Sequence, residues 1–243
     1  MKSVREFLQK PNMIMDSKAL EDFRRQREEE DRALVQQILK DNAAAKRAKL
    51  QRIFDENSLI PKKLLLATFE NYIPKTPSQV AAIEKAKEYV ESYEPDESSN
   101  LLYSGPCGVG KSHLMVSITK QLMKKGFTCL FISVPLFLTK VRSTYKRDSD
   151  LSEFQLLQIM QEVDCLVLDD IGIGGSTDWA ASKIFEVIEV RSGAHTLYTT
   201  NLNGQELEEE IGERSISRLM DDTETLQVFG EDKRRWKQRR ASK

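Results

Sequence analysis

The fold is decided by Gly105-Pro106-Cys107-Gly108-Val109-Gly110-Lys111-Ser112, which has the spacing of a phosphate-binding loop. An apolar run at 101–104 predicts a strand before the loop, and apolar residues at helical spacing predict a helix after it, to about Lys125. The glycines allow a tight turn whose N–H groups face a polyphosphate at the positive end of the helix dipole. Lys111 supplies a charge for the β- and γ-phosphates, and Ser112 can coordinate Mg²⁺. This context disfavours the alternative, a glycine turn without a ligand.

Composition limits the class of protein. The 243 residues are 40% hydrophobic and 31% charged, which suits one α/β domain with a small appendage and leaves no apolar run long enough for a membrane span. The first residues lack the apolar stretch of a secretory signal, so we expect a cytoplasmic protein. The three cysteines have no paired spacing, which argues against a zinc or redox motif.

Three regions are expected along the chain: a helical extension at 1–60, an α/β domain at 61–230 and a basic tail at 231–243. The extension predicts a helix from Asp16 or Ser17 to about Glu56, with a segment that is polar on every side and therefore spans solvent. Its apolar residues are too few for a core, which favours docking onto another protein over packing against the main domain. The tail is either a solvated terminus or a contact for an anionic partner.

Strands and helices alternate through the α/β domain, which predicts a parallel sheet with helices on both faces and ligands beyond the carboxyl ends of the strands. The predicted strands are 101–104, 128–134, 165–170, 195–201 and 226–229. The predicted helices are 78–93, 111–125, 135–145, 151–163 and 178–190.

Two of these strands end in polar residues that complete a nucleotide site. Asp169 is suited to hold the Mg²⁺ shell together with Ser112, and Asp170 to polarise a water that attacks the γ-phosphorus. Asn201, after the next strand, can hydrogen-bond the γ-phosphate or that water, or it can be a turn-forming amide.

Arg214 and Arg218 are four residues apart and therefore lie on one face of a predicted helix. A guanidinium that reaches a phosphate in a neighbouring subunit would stabilise charge in the transition state and make hydrolysis depend on assembly. Arginines at such spacing are otherwise solvated or salt-bridged, and it is their position after Asn201 that favours the functional interpretation.

Together these motifs resemble the AAA+ ATPases, and within them the DnaC/DnaI-type (IstB-like) replicative helicase loaders, with the DnaC branch the most similar. The more specific matches are Lys49-Leu50-Gln51-Arg52-Ile53-Phe54, Thr68-Phe69-Glu70-Asn71-Tyr72, Lys85-Ala86-Lys87-Glu88-Tyr89-Val90 and Gly212-Glu213-Arg214 through Arg218-Leu219. The resemblance covers nearly the whole chain. It implies a sheet of order 5-1-4-3-2 without a separate lid domain. It also implies that the loop from Gly105 to His113 binds ATP with Mg²⁺. It further implies assembly into an ATP-dependent spiral and docking on a hexameric helicase. It leaves open whether an initiator protein also binds.

The resemblance also implies roles for single residues. Arg218 matches the arginine finger, with Arg214 as the neighbouring candidate. Leu20 and Phe23 match residues that contact the helicase. Four residues match contacts to single-stranded DNA, where cations follow phosphates and aromatic rings stack on bases: Arg142, Tyr145, Thr177 and Trp179. The alternative for the two aromatic residues is ordinary helix packing.

Two departures from the family pattern have consequences. Asp170 stands where many AAA+ proteins have glutamate, one methylene longer, so we expect slow hydrolysis that acts as a timer or switch. The N-terminal region has no cysteines, so the zinc module of DnaI-type loaders is not expected. Two other functions remain open: an IstB-type transposition ATPase, which serves a transposase, and a non-catalytic adaptor that uses ATP only as a folding and assembly ligand.

Overall fold

The computed structural model describes residues 17–57, 60–145, 152–174 and 177–232. The chain divides into two compact units, Met1–Ala48 and Lys49–Lys243, which are considered separately.

Helix α1, Ser17–Asn57, provides the described part of the first unit and continues past Ala48, and its 41 residues confirm the predicted long helix. Residues 21–45 are all exposed, as expected for a helix surrounded by solvent. Ion pairs one turn apart support its middle part: Arg25 to Glu29 at 3.4 Å and Arg32 to Glu28 at 3.7 Å. Asp16, the other predicted cap, lies outside the described residues.

The second unit contains five parallel strands in the order β2-β3-β4-β1-β5, which confirms the expected 5-1-4-3-2 sheet. The strands are β1 Asn100–Ser104, β2 Cys129–Ser133, β3 Cys165–Asp169, β4 Thr196–Thr200 and β5 Thr223–Gln227. The helices are α2 Pro77–Glu91, α3 Lys111–Lys124, α4 Val134–Thr144, α5 Glu153–Glu162, α6 Asp178–Val190, α7 Gly204–Ile211 and α8 Glu213–Met220, and a short 3₁₀ turn spans Lys62–Leu64.

Two hydrophobic layers cover the sheet because successive strand residues point to opposite faces. Leu101 and Tyr103 of β1 pack in the layer that contains α2 and α3, whereas Leu102 packs in the layer that contains helices α4 to α8. Because β1, β3 and β4 are parallel, their carboxyl ends lie at one edge of the sheet, where the candidate functional residues follow the strands.

The last strand differs from its predicted position. The apolar run at 226–229 predicted the strand there, whereas β5 begins at Thr223 and ends at Gln227. Its residues Thr223, Glu224 and Thr225 pair with β1 but are mostly exposed, because β5 is an edge strand. Hydrophobicity alone therefore shifted the prediction toward Val228, whose side chain is buried.

Within the described part of the chain, no helix is long and apolar enough to cross a membrane.

Candidate nucleotide-binding site

The phosphate-binding loop lies between β1 and α3, and its first two glycines are crowded by the chain that follows β5. Gly105 has a φ of +136°, and a Cβ on it would lie 2.1 Å from the carbonyl oxygen of Val228. Gly108 has a φ of +78°, and a Cβ there would lie 1.9 Å from Oδ1 of Asp232. Any side chain at these positions would meet both steric overlap and an unfavourable backbone conformation.

The third glycine is crowded from the other side of the loop. Gly110 has a φ of +105°, and a Cβ on it would lie 2.6 Å from the ring of Tyr72. Gln79, buried in α2, donates its side-chain N–H to the carbonyl of Val109 at 3.0 Å. His113 lies 2.9 Å from the Thr68 carbonyl through Nε2 and stacks edge-on against Tyr72. Three distant segments therefore fix the loop.

Lys111 connects the loop to the neighbouring strand ends. Its ammonium, in a side chain only 5% exposed, donates to the carbonyls of Gly105 at 2.6 Å and Pro106 at 2.9 Å. It also donates to Oδ1 of Asn201 at 2.7 Å, and the Asn201 amide donates to Asp170 at 3.2 Å. The structure thus brings together three of the side chains that sequence reasoning assigned to one site.

Asp169 and Ser112, the predicted magnesium pair, lie close together, and the Ser112 hydroxyl acts to lower the pKa of the Asp169 carboxyl. The Thr199 hydroxyl donates to the same carboxylate at 2.6 Å. Burial raises the pKa of Asp169 to about 6, although these hydroxyl groups and the attraction of Lys111 act in the opposite direction. A buried carboxylate beside a hydroxyl offers hard oxygen ligands and gains from a nearby cation, so these residues fit a Mg²⁺ ion that is shared with a nucleotide.

Asp170 has a left-handed backbone with a φ of +58°. Its N–H donates to the Thr199 hydroxyl at 2.9 Å, which holds this conformation. Aspartate and asparagine are enriched several-fold in this region relative to other residues that carry a Cβ. The backbone therefore gives a physical reason for aspartate here, where many AAA+ proteins have glutamate.

Arg214 and Arg218 lie on α8, as their spacing predicted. Both are exposed, and they line an open surface depression together with Phe185, Glu213 and Ser217. Arg218 forms an ion pair from Nε to Glu189 at 3.3 Å.

The family described as IstB-like ATP binding protein matches residues 6–242. The chain belongs to this family. The replicative helicase loader DnaC of Escherichia coli K12 is 33% identical over 173 residues, which are 70% of this chain and 69% of DnaC. The crystal structure of the DnaC helicase loader has a TM-score of 0.64 at 27% identity and covers 70% of this chain and 100% of that chain. The crystal structure of DnaI, at 22% identity, a TM-score of 0.61 and coverage of 72% and 94%, shows the same fold. The expected membership in the DnaC/DnaI (IstB-like) AAA+ ATPases is thereby confirmed.

Within this IstB-like fold, residues matched to DNA contacts form one cluster. The Arg142 guanidinium lies 4.6 Å from the centre of the Trp179 ring, and the Trp179 indole N–H donates to the Tyr145 hydroxyl at 3.3 Å. Tyr145 is 59% exposed and Trp179 is half-buried. Thr177 caps α6 by accepting the N–H of Ala180 at 3.2 Å. Arg142 and Tyr145 therefore meet Trp179, from a distant part of the sequence, on the surface.

The predicted helicase contacts lie on α1. Phe23 is 53% exposed, and the Arg27 guanidinium stacks over its ring at 5.7 Å. Leu20 lies in the helix, but its side chain is outside the described part of the structure.

Sequence reasoning missed several residues that shape the site. Thr199 forms hydrogen bonds with both acidic residues, Gln79 donates a hydrogen bond to the loop, and Asp232 lies against Gly108. A polar residue within an otherwise apolar buried strand or helix face was the available signal for Thr199 and Gln79. Asp232 gave no such signal, because it lies in a charged stretch that is typical of solvated chain ends.

Replacing the buried carboxylate should stabilise the nucleotide-free protein. Because the pKa of Asp169 is raised on folding, the carboxyl binds its proton more tightly in the folded state than in the unfolded state. The ionised carboxylate therefore lowers the free energy of unfolding most above pH 6, and this effect decreases as the pH falls toward 4. We expect Asp169→Asn to raise the free energy of unfolding at pH 7 by about 2 kcal/mol, with a smaller gain at pH 4.5. Urea unfolding of both proteins at the two pH values measures this. An equal difference at both values would contradict the electrostatic cause.

Substitutions at Asp170 should separate backbone conformation from catalysis. Asparagine tolerates a positive φ, so Asp170→Asn should keep the fold and ATP binding but lose hydrolysis. Asp170→Glu should lower stability by about 1 kcal/mol and should not accelerate hydrolysis. Thermal unfolding, ATP titration and phosphate release check both variants. Faster turnover by a fully stable Asp170→Glu protein would show that side-chain length, not the backbone, limits this position.

Proposed function

We propose that this IstB-like protein is an ATP-dependent loader of a hexameric replicative DNA helicase. The proposal depends mainly on one observation. Hydrogen bonds join the side chains of Lys111, Asn201 and Asp170 beside a complete phosphate-binding loop, in a relative of DnaC. A nucleotide site with these parts suits a protein that changes partners on ATP binding and hydrolysis.

Hydrolysis in this proposal uses groups that already lie together. Ser112 and Asp169 would hold Mg²⁺, which neutralises phosphate charge when bound. Asp170 orients and polarises a water whose oxygen bonds to the γ-phosphorus as the bond to the β,γ-bridging oxygen breaks. Asn201 stabilises the γ-phosphate, and Arg218 of a neighbouring subunit stabilises the charge of the transition state. Hydrolysis would then reset an ATP-dependent spiral.

The other regions follow from this assignment. Residues 1–60 dock on the helicase, residues 61–230 form the ATPase domain, and residues 231–243 are a basic tail. The cluster of Arg142, Tyr145 and Trp179 binds single-stranded DNA without sequence preference, because a cation and aromatic faces suit any nucleotide. The cytoplasm is the proposed location, and no partner in a membrane is required.

Helicase docking is tested by the mass of a mixture with the replicative helicase of the same host, with and without ATP. We expect a large complex with the unaltered protein, its loss with Phe23→Ser and its retention with Ile38→Ser. The two residues make a matched pair, since they are 53% and 50% exposed on the same helix and neither change should unfold it. Absence of any complex would contradict the loader function, whereas equal binding by both variants would contradict only the docking site.

DNA binding is tested by Tyr145→Ala. Loss of a stacking ring should weaken binding of a labelled oligothymidine by about 1–3 kcal/mol. Phe154→Ala serves as the control, because Phe154 is an aromatic residue that is 75% exposed outside the cluster. Fluorescence anisotropy measures both. Equal loss in the two variants, or no loss with Tyr145→Ala, would show that the cluster is ordinary surface packing.

A transposition ATPase is the second candidate, because the matching family is named after IstB. Complex formation with the transposase encoded beside the gene, and none with the helicase, would favour it. A non-catalytic adaptor would bind ATP but release no phosphate with or without single-stranded DNA.

A further inference from the structure

Arg218 is held in place by a carboxylate on another helix. Its Nε lies 3.3 Å from Oε2 of Glu189, and the side chains are 49% and 44% exposed. Glu189 belongs to the last turn of α6, and Arg218 to the last turns of α8. The contact therefore joins two helices and is not a pair within one helix.

The backbones on both sides of this ion pair are fixed. On α8, Ser215 and Leu219 are 2% and 0% exposed, and on α6, Val187 and Ile188 are 1% and 3% exposed. The freedom that remains is in the long side chains, and the arginine has the larger rotamer entropy to lose. The Glu189 carboxylate contacts Nε, the first nitrogen of the guanidinium, and so limits the rotamers that Arg218 can adopt.

The geometry of a guanidinium makes this contact suitable for orientation. The group is planar and has five N–H donors in a rigid fork. Glu189 pairs with Nε of Arg218 and not with a terminal nitrogen, and the Arg218 side chain also lines the open depression. The guanidinium can then bind a phosphate of another molecule in an orientation that it already has. This reduces the conformational entropy that the side chain loses when the contact forms.

Arg214 differs from Arg218 in this respect. It lies one turn earlier on α8 and is exposed. Within the part of the chain that the structure describes, Arg214 pairs with no carboxylate. Of the two candidate fingers, Arg218 is therefore the one with a fixed direction.

We propose that Glu189 is the positioning residue of the arginine finger: it directs the terminal nitrogens of Arg218 toward the γ-phosphate bound by a neighbouring subunit. This inference rests on the proposed function, in which Arg218 acts on the ATP of another subunit. Glu189 touches no phosphate itself. An exposed ion pair contributes little to folding, so its removal alters orientation and leaves the fold intact.

The test uses two inactive variants that complement each other. Asp170→Asn binds ATP and keeps its finger but cannot activate water, and Arg218→Ala binds ATP without a finger. Each alone should release little phosphate, and an equal mixture should regain turnover if the finger acts between subunits. Phosphate release is measured at saturating ATP with single-stranded DNA.

Glu189→Ala is then introduced into one partner at a time. In the Asp170→Asn partner, which donates the finger, it should lower turnover of the mixture three- to tenfold without changing ATP affinity. In the Arg218→Ala partner it should have no effect. Glu189→Gln in the donor should lower turnover in the same way, because the contact at Nε is an ion pair and glutamine removes its charge. Glu208→Ala in the donor is the control, since Glu208 is exposed on α7 and its side chain lies outside the ion pair.

The outcomes separate the two levels of the proposal. A mixture that regains no turnover, even without a change at Glu189, contradicts the finger between subunits and with it the proposed cycle. A mixture that regains turnover and is unaffected by Glu189→Ala in the donor contradicts only the positioning role. An equal effect in both partners shows that Glu189 supports the fold of its own subunit, which also overturns the proposal.

Discussion

The lack of a Cβ at three positions of the phosphate-binding loop is the constraint on which the rest of the site depends. The loop approaches the chain after β5 at Gly105 and Gly108, and it approaches Tyr72 at Gly110. These contacts come from opposite ends of the domain, so the loop acquires its shape only when the sheet is complete. The chain after β5 is in turn held by hydrogen bonds between Phe229 and the start of α2, through Thr76 and Ser78. The shape of the loop therefore depends on the packing of both Tyr72 and the chain after β5.

The proximity of the candidate site residues could be predicted because it follows from local patterns and from one topological rule. Lys111 and Ser112 are fixed by loop spacing, and Asp169, Asp170 and Asn201 by their positions after strands. In a parallel sheet such strand ends meet at one edge, so their proximity needed no knowledge of packing. The same rule could not locate β5, because an exposed edge strand lacks the hydrophobic signal on which the prediction relied.

Contacts between distant segments were beyond prediction for a different reason. Arg191 follows α6 and is only 2% exposed, although arginine is mostly exposed in folded proteins. Its guanidinium is held by backbone carbonyls, including those of Val163 at 2.7 Å and Met160 at 3.1 Å. The fork of an arginine can satisfy several carbonyls at once, but sequence does not show which carbonyls will be left without helix or sheet partners. The position of Asp232 against Gly108 could not be predicted either, because it depends on where β5 ends.

The charges of the site show how stability and function are related. Lys111 is buried among the neutral oxygens of Gly105, Pro106 and Asn201, and Asp169 is buried among hydroxyl groups. Burial raises the pKa of Asp169 even though Lys111 attracts it, so desolvation outweighs the attraction between the two charges. A polyphosphate with its Mg²⁺ brings an anion to the lysine and a cation to the carboxylate. In the proposed function, a bound polyphosphate with Mg²⁺ would offset the cost of burying the Asp169 carboxylate, and a neutral residue at 169 would remove that contribution.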